Sequence, residues 1–93
     1  MNDELFQRTM RSIGLTCFVR HYELLTDTRK VPGDAAAELG SRESFTVNTC
    51  QSKVSASRRI VREGRTQDAL RMFLSSKVSD YDLERKARRL LLA

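Results

Sequence analysis

The sequence predicts an all-α fold, a compact single-domain bundle of about five short helices with a helix-turn-helix-like unit inside it. Three observations predict it. Chain breakers are scarce, with one proline, Pro32, and four glycines, Gly14, Gly33, Gly40 and Gly64; an all-β fold of short strands needs turn residues at close intervals. Apolar residues recur in threes and fours, the spacing that lines one face of a helix. The length, 93 residues, suits one domain spanning 1–93 and no second. An apolar share of 40% beside a charged share of 31% fits amphipathic helices and argues against wholesale disorder.

Residues 3–26 read as helix, with Gly14 the place where it would break. One stripe is Phe6, Met10, Ile13, Cys17 and Leu24, and a second is Leu15, Phe18, Tyr22 and Leu25. Apolar residues cover much of the circumference over 15–25, so this stretch is expected to be the central helix. Residues 1–12 either continue it or fray. Asp27 to Lys30 is a polar connection. Pro32 suits a first helical turn, where its missing N–H costs nothing. Asp34 to Leu39 follows as a short helix, with Gly40 as its left-handed end and Ser41 to Ser44 as a turn.

Thr46 to Glu63 carries the longest clean signal. Val47, Cys50, Val54, Ser57 and Val61 form an apolar seam that Ile60 widens, and Gly64 closes the helix. Thr66 is the expected N-cap of Gln67–Ser76, whose buried face is Ala69, Leu70, Phe73 and Leu74. Ser79 is the expected cap of the last helix, with Asp82 as partner in a capping box. Leu83, Ala87, Leu90 and Leu91 face inward there.

Two widely spaced cysteines, Cys17 and Cys50, give no metal motif and read as small buried hydrophobes. The charged N-terminus has no apolar segment of signal-peptide type, and no run reaches membrane-span length. Cytoplasm is the expected location, with no membrane partner. The lone histidine, His21, falls among apolar positions and reads as a core or boundary residue with one hydrogen bond rather than a general base. No nucleophile elbow and no phosphate-cradling glycine loop is present. The expectation is a non-enzymatic protein with no cofactor, no metal site and no small-molecule substrate.

Charge supplies the functional signal. Residues 52–93 carry 11 Lys and Arg against 5 Asp and Glu, while residues 1–51 carry 6 against 7. Such asymmetry points to a polyanion or an acidic protein surface. On the long helix Arg58, Arg62 and Arg65 recur at four and three, which predicts one shared face. Gln51 and Ser55 extend that face, and Lys53 and Arg59 flank it. Guanidinium forks and hydroxyl or amide donors bind phosphate. Asn48, Gln51, Ser52 and Ser55 are then candidate readers near the helix start. Residues 34–55 follow a helix-turn-helix order, with Ala36, Gly40 and then a second helix. The reading is a small basic binding protein acting on DNA or RNA through the helix 46–63. The rival reading is an interaction module or homodimer, motivated by Leu90, Leu91 and Leu92 at the chain end. In the last helix, Asp82 with Lys86 and Glu84 with Arg88 are expected as stabilising pairs.

Overall fold

In a computed structural model that describes residues 1–77 and 80–93, seven helices and no strand occur among the described residues. They are α1 (Asp3–Ile13), α2 (Leu15–Arg20), α3 (Tyr22–Thr26), α4 (Pro32–Arg42), α5 (Val47–Arg62), α6 (Thr66–Ser75) and α7 (Tyr81–Leu92). The all-α class stands, and the count rises because the expected first helix is three.

Gly14 makes the first break. Its φ of 92° is a conformation that L side chains rarely adopt, and it ends α1 while opening α2. His21 makes the second, at φ −109° and ψ 29°. Residues 15–25 are therefore a bent pair rather than one central rod. They still supply core through Phe18, Val19, Leu24 and Leu25. The first residues are helical from Asp3 onward. The Asn2 side chain accepts from the Leu5 N–H at 2.8 Å, satisfying one of the donors that a helix start leaves free. Phe6, Met10 and Ile13 then bury one face of α1.

Other boundaries also move. Gly40 lies inside α4 rather than ending it, and Glu43 is the C-cap. A Cβ at Gly40 would sit 3.6 Å from the Cys50 Sγ, an ordinary van der Waals contact, and its backbone is not in the left-handed region, so this position does not require glycine. Thr66 is the first residue of α6 rather than its cap, a position taken by Arg65 with no side-chain cap bond. The expected cap at Ser79 lies outside the described residues. The side chain of Asp80 caps α7 by accepting from the Leu83 N–H at 3.1 Å.

The core runs through all seven helices, with Met10, Ile13, Phe18, Leu25, Leu39, Ile60, Leu70 and Phe73 essentially sealed from solvent. Helix α5 packs on α4 and α1 most extensively and touches α3 and α6, while α7 packs on α6 and α2. The radius of gyration, 12.4 Å, is that of a well-packed chain of this length. Among the described residues no helix is long and apolar enough to cross a membrane.

Candidate nucleic-acid interface

Helix α5 is fixed at both ends by local chemistry. Thr46 has extended backbone and its Oγ1 accepts from the Thr49 N–H at 3.1 Å, as an N-cap does. At the other end Gly64 turns to φ 67°. The Arg65 N–H then reaches the Ile60 carbonyl and the Gly64 N–H the Val61 carbonyl, each at 3.0 Å. That pair of bonds is a Schellman closure, which glycine favours.

Between those ends α5 contains no acidic residue in 16 positions. Cys50, Val54, Ser57 and Ile60 point into the core. Asn48, Gln51, Ser52, Ser55, Arg59 and Arg62 are exposed. At 100° per residue these six fall within an arc of about 100°. Helix α1 supplies the facing bank. Thr9, Ser12, Gln51, Ser52, Ser55, Ala56, Arg59 and Arg62 line an open polar trough of about 610 Å³. Thr9 and Ser12 donate their hydroxyl protons to carbonyls of their own helix, Leu5 at 2.7 Å and Thr9 at 2.9 Å. The guanidinium groups of Arg59 and Arg62 carry no ion pair or hydrogen bond among the described residues. Neither do the side chains of Gln51, Ser52 and Ser55 in the trough, among the described residues.

Three expected members of this face are elsewhere. Arg58 is only 7% exposed. It follows buried Val54 by one helical turn, so it continues the inward row instead of joining Arg62. Its Nε and Nη2 are buried and find no partner among the described residues. Arg65 lies past the Gly64 turn, where the chain has left the α5 axis. Its Nε donates to Asp68 at 2.8 Å and its Nη2 to Asp3 at 3.0 Å. Its guanidinium carbon lies 4.1 Å from the centre of the Phe6 ring, a cation–π distance. Asp68 first, and Asp3 after it, hold Arg65 still more firmly protonated than usual. Arg65 thus clamps α1 to α6. Lys53 is partly buried, donates from Nζ to the Ile13 carbonyl and lies 5.1 Å from the Phe45 ring centre. A cation there suits the carboxyl end of α1.

Val47 also departs from its expected place in the seam. It is 72% exposed, because it opens α5 at the mouth of a second, apolar slot. That slot, about 320 Å³, lies between α4 and α5. Val61 is only partly buried.

His21 behaves as expected. It is buried, and its Nε2 lies 2.9 Å from the Glu43 Oε1. That hydrogen bond, joined by one from Arg20 at 3.3 Å, holds the Glu43 carboxyl below the usual range. Cys50 is buried and Cys17 half-buried, both as free thiols, and burial pushes the Cys17 thiol up. No group of His, Cys, Asp and Glu among the described residues is arranged to hold a metal ion.

Helix α7 holds a separate basic surface, but not through the expected pairs. Lys86 donates to the Glu23 Oε2 at 2.9 Å and to the Arg20 carbonyl at 3.0 Å, instead of to Asp82. No pair joins Glu84 and Arg88 among the described residues. Tertiary packing of α7 on α2 explains the switch, since Glu23 and the end of α2 lie closer to the Lys86 ammonium. Leu90 and Leu91 pack against the core, leaving Leu92 exposed at the end of α7.

No family model, curated protein or solved structure matches this chain.

Proposed function

We propose that the protein binds nucleic acid through the trough between α1 and α5. Arg59 and Arg62 supply charge to phosphates, while Asn48, Gln51, Ser52 and Ser55 supply neutral donors and acceptors. The observation that carries this is the pairing state of the charges. Elsewhere most described cations are held by acids or carbonyls, as Arg42 is by Glu38 and Lys86 by Glu23; Arg85, Arg88 and Arg89 of α7 also lack such a partner among the described residues, but they share their helix with Asp82 and Glu84. On the outward face of α5 two arginines stand without a counter-charge beside four uncharged polar side chains.

Unpaired arginines on an acid-free helix keep their full attraction for a polyanion, and guanidinium matches phosphate geometry. Phosphate contacts set affinity and position, and amide side chains near the helix start are the groups able to read bases. The free thiols suit a reducing compartment such as the cytoplasm, where nucleic acid is at hand.

The test is fluorescence anisotropy with labelled duplex and single-stranded oligonucleotides over a salt series. Affinity falls steeply as salt rises if phosphates are contacted. Absence of binding at low salt would refute the proposal.

A further inference from the structure

Gln51 stands on a ridge between two depressions of different chemistry. On one side is the polar trough with Arg59 and Arg62. On the other is the α4–α5 slot, lined by Gly33, Ala37, Gly40, Phe45 and Val47 among others. Gln51 belongs to both walls. We infer that the ligand of this face is single-stranded nucleic acid, with one unstacked base seated in the α4–α5 slot and the backbone running along the trough. This rests on the nucleic-acid reading above and assigns the form of the ligand.

The slot has the properties such an occupant requires. Its volume, about 320 Å³, is at the lower end of small-molecule pockets, which begin at roughly 300 Å³. Its floor is made of glycine and alanine, so a flat group can approach the α4 backbone. Phe45 and Val47 supply apolar surface at the rim side, and Val47 has nothing else to cover it. Base faces are apolar and base edges are polar, and Gln51 offers an amide donor and acceptor at the slot's edge.

Charge selects a nucleic acid over an apolar peptide segment. A strand leaving the slot over Gln51 enters the trough, where Ser55 lies about 6 Å and Arg59 about 12 Å further along the helix axis at 1.5 Å per residue. Phosphates meet unpaired cations there and no α5 carboxylate. A base inside a duplex cannot enter a slot between two helices without leaving its stack, an extra cost that a single strand avoids.

The experiment compares three labelled probes at one salt concentration: an oligothymidylate strand, an abasic phosphodiester strand of equal length, and a duplex. The thymidylate strand is expected to bind about tenfold more tightly than the abasic strand, the scale of one buried base. Ala37 is an exposed position of α4 that lines the slot, so A37L fills the slot from the surface. With the fold verified by circular dichroism, A37L is expected to bring thymidylate affinity down to the abasic value. Equal binding of the two strands, tighter binding of the duplex, or an A37L protein with undiminished thymidylate affinity would each overturn the inference while leaving salt-dependent phosphate binding in place. Loss of binding to every probe would instead remove the polyanion reading beneath it.

Discussion

Arg58 and Arg59 are adjacent in sequence and opposite in circumstance. Arg58 is folded into the protein with two guanidinium nitrogens, Nε and Nη2, unpartnered, whereas Arg59 stands in an open trough with its whole fork free for a ligand. A turn of 100° about the α5 axis separates a structural burden from a binding group. The comparison teaches that net charge is a poor guide to binding surface. Of the basic residues gathered in and just after α5, Lys53 ties down the end of α1, Arg65 clamps α1 to α6, and Arg58 is buried. Arg59 and Arg62 remain.

The largest expected effect tests the inward side. Ile60→Ala removes a sealed side chain and is expected to cost about 2–5 kcal/mol in urea unfolding. Ser55→Ala, on the outward face, is expected to stay within about 0.5 kcal/mol. Similar losses for both would erase the distinction between the faces. Arg58→Met sharpens the contrast directly. Removing buried donors that lack partners and keeping the aliphatic stem is expected to raise stability by about 1–3 kcal/mol, with oligonucleotide affinity unchanged. The reverse outcome, lost affinity at unchanged stability, would return Arg58 to the interface.

On the outward side, the Arg59→Ala, Arg62→Ala double variant is expected to keep its unfolding midpoint. Its log–log salt slope should fall by about 1.4–1.8, from about 0.7 per phosphate contact on a single strand to about 0.9 on a duplex. Lys53→Met is expected to cost about 1 kcal/mol of stability through lost capping of α1 and to leave that slope alone.

The smallest effect concerns pH. The Glu43 carboxyl is lowered chiefly by its hydrogen bond with His21. A group with a lowered folded pKa contributes stability above its unfolded pKa, and that contribution is lost as pH falls through the folded value. Glu43→Gln is therefore expected to flatten the acid limb of the stability curve, measured by urea midpoints from neutral to acidic pH. An unchanged acid limb would show that the His21–Glu43 contact adds no pH-dependent stability.

Much of the fold was legible because helix chemistry is local. The Val54–Ser57–Ile60 row and the Gly64 closure can be read from spacing and residue type, whereas Thr46 reads as the first helical residue and is in fact the cap. The exposed half of the candidate site was legible only in part: spacing groups Gln51, Ser55 and Arg62 and sets Arg59 beside them, but it groups Arg58 and Arg65 with them too, and the fold buries one and pairs the other. Thr9 and Ser12 were not legible as its facing bank, because nothing in their neighbourhood says which helix α1 will lie beside. The bend at His21 was equally hidden, as Leu15 to Leu25 satisfies helical spacing straight through it.

By itself the sequence determined the helical class, the Gly64 closure and an acid-free α5, because each depends on residues within a few positions of one another; the caps at Asn2, Thr46 and Asp80 and the run of α4 through Gly40 did not follow from it. Only the tertiary structure decided which arginines are available. That choice depends on what packs against each flank of a helix: Arg65 meets Asp3 and Phe6 from 62 and 59 positions away. Burial and pairing are properties of neighbours in space, and a charge keeps its reach for a ligand only where the fold leaves it without one.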